Sequence, residues 1–156
     1  MIRVLFICLG NICRSPMAEA YFRNLVKQEG LVDRFVIDSA ATSNWNEGKP
    51  PHEGTQKKLI EHDLSFEGIY SRQITAADFN QFDYIIAMDD QNLVDLENIH
   101  KQATHAKIVK LMDFVDNATI DYVPDPYYTG DFEETYQLVE LGCQALLASI
   151  RKQHHI

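Results

Sequence analysis

Four short apolar runs, separated by stretches of helical spacing, constrain this chain more than any other feature of its sequence. The runs are Ile2 to Cys8, Phe35 to Asp38, Tyr84 to Met88 and Lys107 to Leu111. Each is rich in Val, Ile or Phe and nearly continuous, as strands are when a sheet is covered on both faces. After Ser15-Pro16, which suits an N-cap followed by a first helical position, Met17, Ala20, Tyr21, Leu25 and Val26 share one face up to a stop at Gly30. A second helix is expected from near Pro51 to about His62, with Leu59 and Ile60 facing in. A third is expected from Asp89 or Asp90 to His100, with carboxylates at its positive end. The longest amphipathic stretch, Phe132 to Ile150, carries Tyr136, Leu138, Val139, Leu141, Leu146 and Leu147. Strands alternating with helices of this length build βαβ units, hence a parallel sheet with helices on both faces.

The 156 residues fit one domain, 1–156, and a composition of 46% hydrophobic and 24% charged residues is that of a packed globular chain. A formal charge of -9 with no basic run argues against a general affinity for nucleic acid or an anionic membrane. If the substrate is itself an anion, positive potential must be concentrated locally by an arginine and oriented amides. Cys8, Cys13 and Cys143 cannot all pair, and the first two lie five positions apart, so no disulfide framework is expected. The amino terminus MIRVLFICLG is too short and too sparsely basic for a signal peptide, and no later segment has membrane-spanning length. A cytoplasmic address is expected. The six histidines show no ligand spacing and read as surface or capping residues.

Two segments read as loops, Ala41 to Pro50 and Asp116 to Gly130. They follow the second and fourth strands and so meet the loop after the first, because ligands in open α/β sheets bind beyond the carboxyl ends of strands. That first loop is the informative one. In Cys8-Leu9-Gly10-Asn11-Ile12-Cys13-Arg14-Ser15 a cysteine ends a strand and an arginine follows six positions later, at the start of a helix. Gly10 and Asn11 tolerate positive φ, which lets successive amides point inward as an anion nest, and the helix start adds unpaired amides and its dipole. The field that holds a phosphate also stabilises a thiolate, so Cys8 is expected to ionise well below the roughly 8.5 of a free thiol. Arg14 offers a planar fork to two equatorial oxygens. Neither a G-x-G-x-x-G motif nor a Gly-Lys-Ser/Thr motif is present.

CLGNICRSP at Cys8 to Pro16 resembles the signature of the low-molecular-weight protein tyrosine phosphatases. The likeness extends through D-S-A at Asp38 to Ala40, F-D-Y-I-I-A-M-D at Phe82 to Asp89 and D-P-Y-Y at Asp125 to Tyr128. The resemblance implies a four-stranded parallel sheet flanked by helices in a flavodoxin-like, three-layer sandwich, with no metal or organic cofactor. It implies Cys8 as nucleophile, Arg14 as phosphate clamp and Asp125 as general acid, then base. It also implies a supporting network of Asn11, Ser15, Ser39 and Asp89, although chemistry alone makes Ser15 an N-cap, Ser39 a turn residue and Asp89 a helix-starting carboxylate. Mammalian members place a histidine three positions before the site of Arg72 as a partner of that aspartate, whereas Ile69 stands here. Trp45, Tyr127 and Tyr128 fall where the family has its rim, with Leu9 in the cradle. Cys13 reads either as a redox partner of Cys8 or as a packed thiol.

The expected partners are phosphotyrosine proteins or small aryl phosphates, with inorganic phosphate released, on a monomer or weakly self-associating chain. Three rivals remain. An arsenate reductase on this fold would need relay cysteines near the third strand, which are absent. A protein-arginine phosphatase carries Thr where this chain has Ile12. A non-catalytic phosphate-binding module would not need Cys8, Arg14 and Asp125 together.

Overall fold

β1 (Ile2–Cys8) lies inside a four-stranded sheet, and its side chains decide how the remaining elements pack. It pairs in parallel with β2 (Phe35–Ala41), from Ile2 against Phe35 to Cys8 against Ala41, and with β3 (Tyr84–Ala87), which pairs with β4 (Lys107–Lys110). The computed structural model describes residues 1–156. Successive side chains of a strand point to opposite faces. Val4, Phe6 and Cys8 therefore enter the larger core, beneath α1 (Arg14–Gln28) and α6 (Phe132–His154), with Met17, Phe22, Val139 and Cys143. Leu5 and Ile7 enter a smaller core on the other face, with Phe79 of α3 (Asp78–Gln81) and Leu96 of α4 (Asp90–Ile99). α2 (Glu53–Glu61) packs on the first side and α5 (Pro126–Thr129) is a single turn. The expected three-layer arrangement is what the chain forms.

Several local readings are corrected. α1 begins at Arg14, with Cys13 in the N-cap position, so Ser15 lies within the helix and its hydroxyl is not a cap. β2 continues to Ala41, which makes Ser39 a strand residue rather than a turn residue. Ile60 is 62% exposed, because only Leu59 of that pair faces α1 and α6, and Leu141 is 46% exposed on the outer face of α6. α6 runs to His154, and the last expected loop contains α5.

Strand order β2-β1-β3-β4 reverses direction between β1 and β3, the point at which a doubly wound sheet opens a crevice beyond its strand ends. Cys8 closes β1 at that crevice, and Asp89 caps α4 just after β3. On the far side, Gly142 lets α6 approach the turn after β4. A Cβ there would stand 2.5 Å from Leu111 Cγ, and Leu111 is buried. Gly142→Ala should therefore lower stability in urea by roughly 1–2 kcal/mol through overpacking, although alanine is worth about 1 kcal/mol more than glycine in an open helix. A stabilised variant would show that Leu111 yields.

Candidate active site

The loop after β1 is shaped by what its carbonyls bind. Cys8 O accepts from Thr42 N at 3.1 Å, and Leu9 O from Ser43 N at 3.2 Å and Ser43 Oγ at 2.8 Å. Gly10 O accepts from Ser71 Oγ at 3.0 Å, Ile12 O from His52 N at 2.7 Å, and Cys13 O from Thr55 Oγ1 at 3.0 Å. With these carbonyls turned outward, the amides of Gly10, Ile12 and Cys13 take no acceptor within the protein. Asn11 alone in the loop adopts a left-handed φ, at 52°. Gly10 is needed for a different reason than the expected one: a Cβ there would stand 2.7 Å from Asn46 Nδ2.

The Cys8 sulfur sits at the floor of this ring. Asn11 N donates to it at 3.3 Å, and Ser15 Oγ lies 3.1 Å away. Asn11 Nδ2 donates both to Ser15 Oγ, at 2.6 Å, and to Ser39 Oγ, at 3.0 Å. Its Oδ1 accepts from Arg72 N at 3.1 Å, which fixes the orientation of the amide. The structure thus brings together Asn11, Ser15 and Ser39 behind the sulfur.

Arg14 is 2% exposed and has anionic groups on several sides. Nη1 donates to Asp89 Oδ2 at 2.6 Å and to Val123 O at 2.9 Å, and Nη2 meets Asp125 Oδ2 at 3.4 Å. Burial works against the cation, but Cys8, Asp89 and Asp125 outweigh it and hold the guanidinium pKa above its ordinary value. Asp89 needs no histidine for this: its Oδ1 caps α4 through Asn92 N at 2.8 Å, while Ile69 lies in the core. Arg14 Nε is buried with no hydrogen-bond partner. The Nε and Nη2 edge, the one suited to two oxygens of an oxyanion, therefore carries only the long contact to Asp125.

Asp125 Oδ1 accepts from Tyr127 N at 3.0 Å and starts α5, so the carboxylate is fixed in place between Pro124 and the buried Pro126. A cavity of about 240 Å³ opens over the sulfur, lined by Cys8, Leu9, Gly10, Ile12, Cys13, Trp45, Asn46, Asp125, Tyr127 and Tyr128. Trp45, at 67% exposure, stands at the rim with the exposed Tyr127 and Tyr128. His52 caps α2 by accepting from Gly54 N at 3.0 Å and stacks on Phe132.

Sequence reasoning missed Ser43, Thr55, Ser71, Arg72 and Glu19. The first four hold the loop from outside, and Glu19 lies behind Ser39. Their only sequence signal is polarity at otherwise buried positions, which cannot be recognised before burial is known.

A thiol that ends the first strand of a doubly wound sheet and a guanidinium that begins the next helix, joined by one anion-nest loop, are the arrangement that a cysteine-based phosphatase needs. The pattern described as low molecular weight phosphotyrosine protein phosphatase matches residues 3–155, and the chain belongs to that family. It is 49% identical to the low molecular weight protein-tyrosine-phosphatase YfkJ of Bacillus subtilis over the whole length of both chains. The crystal structure of YfkJ superposes with a TM-score of 0.96 at 50% identity, covering 98% of this chain and 96% of that one. The crystal structure of a Drosophila arginine phosphatase superposes with a TM-score of 0.90 at 35% identity, covering 96% and 98%.

Burial first, and then the nearness of Cys8 and Asp125, pushes the Cys13 thiol up to about 12. A raised thiol pKa keeps sulfur protonated throughout the neutral range, and the thiolate forms only as pH approaches that value. Iodoacetamide at pH 7 followed by peptide mapping should therefore label Cys8 and spare Cys13 and the fully buried Cys143. Comparable labelling of Cys13 would mean that its burial is transient.

Proposed function

We propose that the protein hydrolyses phosphotyrosine monoesters through a cysteinyl phosphate. The observation that carries this reading is the Cys8 sulfur on the cavity floor, accepting from Asn11 N with Ser15 Oγ at hydrogen-bond distance beside it. Donors aimed at a sulfur stabilise it as an anion. The inward amides and the Nε and Nη2 edge of Arg14 supply the oxyanion donors around it. In the first step the Cys8 sulfur bonds to phosphorus, the bond from phosphorus to the tyrosyl oxygen breaks, and Asp125 gives that oxygen a proton. In the second step Asp125 takes a proton from water, the water oxygen bonds to phosphorus, and the thiolate leaves with inorganic phosphate released.

Depth and aromatic walls support tyrosine over serine: a phenyl phosphate spans the distance from the rim at Trp45, Tyr127 and Tyr128 to the sulfur, and a shorter phosphoserine does not. Ile12, where arginine phosphatases carry threonine, supports tyrosine over arginine. The steps draw on side chains and backbone amides of residues 1–156, acting as one domain. No helix is long and apolar enough to cross a membrane, and all three cysteines are thiols, which fits a cytoplasmic setting.

Cys8→Ser should abolish p-nitrophenyl phosphate hydrolysis with an unchanged circular dichroism spectrum. Measurable turnover by that variant removes Cys8 from its role. Asp125→Asn should slow hydrolysis of tyrosine phosphate by about 10²- to 10⁴-fold, and rates near those of the parent would assign the proton to another group. Side-by-side rates on phosphotyrosine, phosphoarginine and phosphoserine peptides decide the substrate class.

A further inference from the structure

Glu19 is a buried carboxylate that the proposed steps do not use. It lies on α1, faces β2 and is 4% exposed. Its Oε1 accepts from Ser39 Oγ at 2.6 Å and its Oε2 from Arg23 Nε at 2.8 Å. Burial pushes this carboxyl up from its ordinary value, with Asp38 adding to the shift and Ser39 and Arg23 opposing it. Removing a charge from water is not in itself stabilising, so the placement calls for another reason.

The donors and acceptors supply one. A hydroxyl has one hydrogen. Because Ser39 directs its hydrogen to Glu19, its oxygen is left to accept, and it accepts from Asn11 Nδ2. The other Nδ2 hydrogen goes to Ser15 Oγ, so the Ser15 hydrogen is free to point at the Cys8 sulfur. A turned-over Asn11 amide would present its oxygen to both hydroxyls and draw the Ser15 hydrogen away from the sulfur. Two features oppose that state: Arg72 N already donates to Asn11 Oδ1, and Ser39 has its hydrogen engaged by Glu19. We infer that Glu19 is a positioning residue for the nucleophile: as the acceptor at the far end of the line Glu19, Ser39, Asn11, Ser15, Cys8, it keeps the Ser15 hydrogen on the sulfur. This rests on the role of Cys8 proposed above.

Acceptor and charge make opposite predictions. As a buried negative charge, Glu19 would disfavour the Cys8 thiolate, and removing the charge would make the thiol more acidic. As the terminal acceptor, it favours the thiolate. The charged or ionisable groups around Cys8 are Cys13, Arg14 and Asp125, and those around Glu19 are Arg23 on α1 and Asp38 on β2. All of them are common to the variants compared.

The test is the pH midpoint of Cys8 alkylation by iodoacetamide, with kcat and KM for p-nitrophenyl phosphate measured alongside. Glu19→Met and Glu19→Gln both remove the charge, but only glutamine keeps an oxygen for Ser39, the half-exposed Arg23 being able to turn away. Glu19→Met should have a midpoint roughly one pH unit above that of Glu19→Gln, the size of one lost hydrogen bond to a charged group. Its kcat below that midpoint should fall about tenfold with KM little changed. Equal midpoints in the two variants, or a lower one in Glu19→Met, overturn the inference. Ser39→Ala cuts the line and leaves Glu19 and Arg23 paired. It should show the same rise, and a parental midpoint there overturns the inference even if Glu19→Met does not fold. A parent whose Cys8 alkylates only as an ordinary thiol would instead count against the proposed function itself.

Discussion

Backbone dipoles can face an anion only if their other ends are satisfied elsewhere, and the site depends on that condition. Each peptide unit couples an N–H to a C=O, so turning amides inward commits carbonyls to point out. Here those carbonyls are met by Thr42 and Ser43 after β2, by His52 and Thr55 around the start of α2, and by Ser71 in the segment before α3. The ring around Cys8 is therefore a property of the whole fold and not of eight residues. The same condition explains why Gly10 is a glycine: the loop must run close enough to the 42–46 segment that a methyl group would strike Asn46.

The electrostatic problem is to hold a phosphate in a chain whose net charge is -9. Nearly all the positive potential that matters is internal. Arg14 is buried, and its charge is kept by the sulfur and two carboxylates rather than by solvent. Removing one member of such a buried set typically costs about 3–5 kcal/mol. Asp89 and Asp125 differ in a way that matches different duties. Both cap a helix, but the first contacts Arg14 at 2.6 Å and lies outside the cavity lining. The second contacts Arg14 at 3.4 Å from the head of a one-turn helix at the cavity edge.

The sheet was legible because burial on two faces leaves apolar runs that few other structures demand, and the chemistry was legible because Cys8 and Arg14 stand on one loop at one strand end. What stayed hidden was polar and distant in sequence. Ser15 fits an N-cap as well as a thiol-facing hydroxyl, and only the start of α1 at Arg14 separates the two. Ser39 looked like a turn residue because three small or polar residues, Ser39-Ala40-Ala41, end a strand that the hydrophobic pattern closes at Asp38. Glu19 has no sequence signal that separates it from a solvated helix carboxylate; the packing of α1 on β2 brings it to Ser39. Ile60 is the converse case: adjacent apolar residues suggest one buried helical face, yet only Leu59 reaches the core.

Asp89 serves two masters through its two oxygens: Oδ1 closes the cap of α4 and Oδ2 holds Arg14. Fraying of that helix end frees the carboxylate to swing and lets the guanidinium tilt away from the sulfur. Warming should then silence the enzyme while most of its secondary structure is still present, so that inactivation and melting are separate events with different onset temperatures.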